Sequence, residues 1–173
     1  MPKSNLPQAK WNLIFLVVAA VIVACDQLSK LWITSHLAFN QSVPSDAFFR
    51  LTYAQNTGAA FSIFYGKTSI LTVISIIGVI VLLVYNFIVY RRFPYLDNRI
   101  NKVALAFILG GTVGNLVDRF RLGYVTDFVD IGPWPIFNVA DSSLVLGVII
   151  FALSIVFIIR IPEEKSKGTW PSV

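Results

Sequence analysis

Four aspartates fall close together in this chain. Asp118, Asp127 and Asp130 lie in Gly110-Gly-Thr-Val-Gly-Asn-Leu-Val-Asp118-Arg-Phe-Arg-Leu-Gly-Tyr-Val-Thr-Asp127-Phe-Val-Asp130, and Asp141 lies in Phe137-Asn-Val-Ala-Asp141-Ser-Ser. The first stretch begins inside one apolar run, and Asp141 opens the next. Acids within apolar spans are costly and mark functional sites by default. Two carboxylates within hydrogen-bond reach cannot both ionise easily, so they share a proton. One then acts as base and the other as acid, which suits attack of water on a peptide carbonyl. That chemistry needs no metal. One His and one Cys are too few for a typical structural zinc site, and neither metal nor cofactor is expected. Cys25 and His36 lack the positioned third group that nucleophilic catalysis would need.

The elements that must position these acids are membrane helices. Of 173 residues, 56% are hydrophobic and only 13% charged, against about 25% charged in a soluble domain. The net charge of +5 does not point to nucleic acid. The basic residues sit beside apolar runs, which suits anionic lipid and membrane orientation. The expectation is an all-α membrane protein, one integral membrane domain over 1–173. It has four transmembrane helices, at about 11–33, 68–90, 103–119 and 141–161, each near the roughly 20 residues a span requires. A small β-rich extracytoplasmic loop, a small sheet or hairpin, is expected in the first of the two outer loops, 34–67 and 120–140. There Phe48–Tyr53 and Ala59–Tyr65 are β-prone and flank the turn Asn56-Thr-Gly58. Their aromatic residues fit an interfacial belt. Arg91-Arg92-Phe-Pro94 should end the second span. Ile22-Val-Ala-Cys25 resembles a lipoprotein cleavage box, but three further apolar runs argue against a cleaved signal. Cys25 reads as a small buried hydrophobe.

With four spans, both termini share a side. That side holds nine of the basic residues and the other holds five, which puts the termini in the cytoplasm and the acids near the outer face. Asp118 should end the third span and Asp141 begin the fourth, at one depth on neighbouring helices. Gly110, Gly114 and Asp118 stand four apart on one face that lets a helix approach. Asn115 can donate to a carboxylate, and Asn138 suits the N-cap of the fourth span. The expected pair is therefore Asp118 with Asp141. The helix dipole would leave the shared proton on Asp118 and make Asp141 the base. Blander readings stand beside this one. Asp118 could simply partner Arg119 or Lys30, Asp141 could favour a helix start, and Asp127 and Asp130 could be solvated loop acids. Arg119 lies about 100° around the helix from Asp118 and should point toward the outer loop.

At this point the residues resemble the bacterial lipoprotein signal peptidases, the type II signal peptidases, which are intramembrane aspartic proteases. Asp26-Gln-Leu-Ser-Lys30 resembles the first box of that family and Asn56-Thr-Gly-Ala-Ala-Phe61-Ser62 the second. Gly110 to Arg119 and Val125-Thr-Asp127-Phe128 resemble the third and fourth, and Phe137-Asn138-Val-Ala-Asp141-Ser142 the fifth. The resemblance implies that Asp118 and Asp141 are catalytic, and that Asn56, Asn115, Arg119 and Asn138 line the site. Asp26 and Lys30 would support it, with Gly58 and Asp127 among the substrate-binding or supporting residues. It implies no cofactor, and a substrate that is a lipoprotein precursor carrying diacylglyceryl on its lipobox cysteine, cleaved just before that cysteine. The enzyme would sit in the bacterial inner membrane among lipids, as a monomer. Thr112 and Thr126 stand where many members carry a small or aliphatic residue. Two rival classes remain. A small proton-coupled carrier would use the acids as a relay, with acids near the midplane and an inverted repeat. A non-catalytic lipid-binding subunit would tolerate loss of either acid.

Overall fold

The structure, a computed structural model, describes residues 8–58, 66–88 and 98–166; of residues 158–166 it describes the backbone alone. The elements run α1 (Gln8–His36), β1 (Ser42–Val43), β2 (Arg50–Asn56), α2 (Thr68–Phe87), α3 (Arg99–Leu122), β3 (Val125–Asp130) and α4 (Val139–Ser166). All four helices are long and apolar enough to cross a membrane, as their unbroken apolar runs require.

The helices are longer than expected where local signals extend them. Asn98 caps α3, its side chain accepting from Asn101 N at 2.8 Å, so α3 starts at Arg99 and not near 103. At its other end, Gly123 takes the left-handed conformation (φ 79°), and α3 runs one turn past Asp118 before it stops. The expected end of the second span at Arg91-Arg92-Phe-Pro94, and the β-prone run 59–65 with its share of the aromatic belt, lie outside the described residues.

α3 is the centre of the bundle. Of its apolar window 56% is buried, against 22%, 11% and 22% for α1, α2 and α4. Three glycines make this possible. A Cβ on Gly110 would sit 2.9 Å from Ala19 O on α1, and one on Gly114 would sit 2.7 Å from Asp26 Oδ2. One on Gly111 would overlap the Ala140 carbonyl of α4. Small residues thus let two helices press against α3, as in membrane bundles generally. Toward one end Phe15, Ala19, Leu105, Ala106 and Leu109 form an apolar core. Toward the sheet Ile33, Tyr53 and Phe128 form a second. Cys25, expected to be buried, is exposed on α1.

The β-rich part is a small sheet that is not confined to the first outer loop. β2 pairs antiparallel with both β1 and β3, so the sheet of order β1-β2-β3 joins the two loops. Val125–Asp130 is therefore a strand with five of its six residues buried. Asp130, read as a solvated loop acid, is buried there. Arg50 Nε donates to Asp130 Oδ2 at 2.6 Å across the sheet, and Thr52 Oγ1 donates to the same oxygen at 2.9 Å. The Arg50 guanidinium holds the Asp130 carboxyl below the usual carboxylate range.

Candidate active site

The first box is a buried ionic cluster. Asp26 and Lys30 lie one turn apart on α1, so their side chains meet. Lys30 has three donors and uses all of them. It reaches Asp26 Oδ2 at 2.8 Å, Asp118 Oδ2 at 3.1 Å and Asn115 Oδ1 at 3.0 Å. Asp26 is 0% exposed and Lys30 and Asp118 are each 3% exposed; charges so deep require such pairing. Two acids face one cation, and neutral donors satisfy the remaining oxygens. Gln27 Nε2 donates to Asp118 Oδ1 at 2.9 Å. Thr126 N donates to Asp118 Oδ2 at 2.9 Å. Ala140 N, one of the free amides at the start of α4, donates to Asp26 Oδ1 at 3.0 Å.

Asp118 is thus committed to α1 and to the backbone of β3. The expected pairing of Asp118 with Asp141 is not the arrangement found. Asp141 meets other partners, Asn115 Nδ2 at 2.7 Å and Asn138 N at 3.3 Å. The physical reason is the extra turn of α3 and its glycine stop. They send the chain back along the bundle as β3, which brings another acid toward α4 and leaves Asp118 facing Lys30. Asp118 is also not the last residue of its helix, which ends one turn later at Leu122.

The acid brought toward α4 is Asp127. Asn138, wholly buried, joins it to Asp141. Its Nδ2 donates to Asp127 Oδ1 at 2.7 Å, and its backbone N–H is the one that reaches Asp141. Asp141 N in turn donates to Asn138 Oδ1 at 2.8 Å. This reciprocal exchange is a capping box with aspartate in the usual glutamate position, so the local signal that starts α4 also orients Asp141. Asn56 Nδ2 donates to Asp127 Oδ2 at 2.9 Å, and Asn56 Oδ1 accepts from Gly58 N at 2.9 Å. Burial, and next the charge of Asp141, push the Asp127 carboxyl up to about 7. The amides of Asn56 and Asn138 and the charge of Lys30 oppose that rise.

Asp127 and Asp141 line one cavity of about 1160 Å³, together with Asn56, Gly58, Asn115 and Arg119. Asp118, Asp26 and Lys30 are not on its wall; they support it from behind. Arg119 makes no side-chain hydrogen bond or ion pair with Asp118 or with the described residues of the outer loops. Its Nη1 donates to Ser75 Oγ on α2 at 3.3 Å. Trp134, Ile136 and Phe137 close one side, and Leu144 and Val145 extend the cavity along α4. Among the described residues no three His, Cys, Asp or Glu side chains gather as a metal-binding group.

Gln27 and Ser75 were not anticipated as site residues. Gln27 stands inside the first box next to Asp26, which was a signal. Ser75 gave none beyond being a hydroxyl in an apolar span. The role of Lys30 held the clue to Asp118, because a buried cation must draw in acids.

The chain is similar to known proteins over most of its length. Residues 18–157 match the family model described as signal peptidase (SPase) II. The lipoprotein signal peptidase of Dehalococcoides mccartyi is 50% identical over 138 residues, which is 80% of this chain and 86% of that protein. That of Moorella thermoacetica is 43% identical over 137 residues, 79% of this chain and 88% of its own. A solved bacterial membrane enzyme matches with a TM-score of 0.71 at 30% identity, covering 92% of this chain and 94% of its own. With that family model matched over residues 18–157 and relatives at 43% and 50% identity, the chain belongs to the signal peptidase II family.

Proposed function

We propose that this peptidase removes signal peptides from diacylglyceryl-modified lipoprotein precursors, and that its reacting pair is Asp127 with Asp141. The observation that carries the pair is Asn138, whose side chain and backbone hold the two carboxylates together on the wall of one cavity. Below about pH 7 the raised Asp127 carboxyl holds the proton of the pair. Asp141, in the first turn of α4 and accepting from Asn115, carries the charge where the helix dipole favours it. Asp141 takes a proton from water as the oxygen attacks the scissile carbonyl. Asp127 protonates the carbonyl oxygen, and the pair then delivers a proton to the leaving amine. The products are the signal peptide's new carboxylate and the amino group of the lipidated cysteine.

The cavity suits such a substrate. Apolar walls accommodate acyl chains and apolar signal residues, while the few polar groups converge on the bond to be cut. The uneven distribution of basic residues supports cytoplasmic termini and a site facing the outer side of the bacterial inner membrane. Monomeric action among membrane lipids belongs to the same proposal. The carrier reading gains no support. Asp127 is in a strand and Asp141 in the first turn of a helix, so neither is mid-span. The test is incubation of the purified protein in detergent with a diacylglyceryl-modified precursor. Cleavage before the lipidated cysteine is expected; an intact precursor with folded protein overturns the proposal.

A further inference from the structure

α2 is the least buried span, and Val73, Ile74, Ile77 and Ile80 on it are exposed. One face departs from this apolar pattern. Thr68, Thr72 and Ser75 follow at spacings of four and three and share a face. Thr72 spends its hydroxyl inside the helix, donating to Thr68 O at 2.8 Å. The other two reach outward. Thr68 Oγ1 donates to Thr57 O at 3.1 Å, next to the Asn56 that holds Asp127. Ser75 Oγ accepts from Arg119 Nη1 at 3.3 Å, and both residues line the cavity.

Arg119 makes no ion pair among the described residues, although the cavity contains two acids. Its guanidinium is acted on by Asp141, then Asp127, then Asp118. A long, rotamer-rich cation beside a carboxylate pair would ordinarily swing onto it. Here the Ser75 hydroxyl on α2 supplies the alternative acceptor. The charges facing the pair are Lys30 and Asp26 from α1, and Asp118 and Arg119 from α3. β3 contributes Asp127, α4 contributes Asp141 and α2 contributes none. Arg119 is the one of these that lines the cavity without an ion pair, and so the one a single hydroxyl can steer.

We infer that Ser75 is a positioning residue: it holds the Arg119 guanidinium away from Asp127 and Asp141, so the pair keeps its shared proton and the cation stays directed at substrate. The inference rests on the proteolytic reading of the cavity. Without Ser75 the guanidinium turns to the acids, and an opposite charge at short range favours their ionised form.

The experiment measures kcat/KM against pH with a diacylglyceryl-modified precursor peptide, for the wild type, Ser75→Ala, Ser75→Thr and Arg119→Ala, and for Ser75→Ala combined with Arg119→Ala. Alanine is the best helix former, so Ser75→Ala keeps α2 intact. Its alkaline limb should move to lower pH by about one unit, and its KM should rise about fivefold as Arg119 leaves the substrate. Ser75→Thr keeps the hydroxyl and should bring the limb and KM back toward the wild type. In the Arg119→Ala background Ser75→Ala should move neither, because contacting groups are not additive. An unmoved limb in Ser75→Ala, or the same movement without Arg119, overturns the inference. A wild-type protein that does not cleave overturns the proteolytic reading instead.

Discussion

Asp118 accepts the backbone N–H of Thr126 at 2.9 Å, so a carboxylate inside a membrane helix fixes the strand residue adjoining Asp127. The proposed division between an acid that positions and an acid that reacts can be tested by experiment. Asp118→Asn leaves Lys30 with one acid fewer in a buried cluster. Breaking a buried pair costs about 3–5 kcal/mol, so thermal unfolding in detergent should come markedly earlier and activity should fall with it. Asp127→Asn and Asp141→Asn should stay folded and bind lipidated peptide yet give no turnover. Substantial turnover by Asp127→Asn would return the reacting role to Asp118.

Asp127 also sets a pH dependence. Its carboxyl rises from 3.8 to about 7 on folding, so the folded state binds its proton more tightly than the unfolded chain does. The resulting stability is fully present below 3.8 and is lost as pH rises through about 7. Activity has the same sign on that side, because the pair must hold one proton: kcat/KM should fall above about pH 7. The apparent value belongs to the pair and not to Asp127 alone. Thermal unfolding of Asp127→Asn across pH 5–8 should lack the corresponding slope, and a slope equal to that of the wild type would exclude this source.

The sheet has the opposite dependence. Arg50 lowers the Asp130 carboxyl below its ordinary 3.8. That stability is present above 3.8 and disappears as pH falls through the depressed folded value. Arg50→Ala should therefore destabilise the protein at neutral pH, and its difference from the wild type should shrink under acid conditions. Proteolysis of the sheet, followed from pH 7 to pH 3, reads this directly. A gap that widens in acid would contradict it.

These contrasts explain what was legible in the sequence. The spans were, since runs of about 20 apolar residues admit one interpretation. The boxes were, because their types and order carry chemistry. The proposed partner of Asp141 was not. Depth along helices ranked Asp118 first, whereas the proposed pairing depends on one glycine, Gly123, whose left-handed turn precedes the strand Val125–Asp130 that pairs with β2. That strand was invisible for a related reason. Thr126, Asp127 and Asp130 are polar residues that would not normally be buried, and their partners lie far away in sequence, from Asp118 to Arg50. Burial of such groups depends on long-range hydrogen bonds, which no local pattern announces.

The close approach of α3 and α4 offers the last test. A Cβ on Gly111 would overlap the carbonyl oxygen of Ala140 and sit 2.6 Å from Ser143 Oγ. Both belong to the first turns of α4, the segment that carries Asn138 and Asp141. Backbone cannot yield as a flexible side chain does, so Gly111→Ala should push that turn outward. Overpacking of this kind costs about 1–3 kcal/mol, which a stable bundle survives. The reacting geometry is less forgiving, since a displacement of about 1 Å can lower rate about a hundredfold. Gly111→Ala should therefore unfold slightly earlier than the wild type but lose most of its kcat. Gly78→Ala is the control: a Cβ there meets nothing within 4 Å, and alanine favours a helix over glycine. It should leave turnover intact and stability equal or higher. Full turnover in a folded Gly111→Ala protein would mean that the position of α4 does not set the alignment of Asp141 with Asp127.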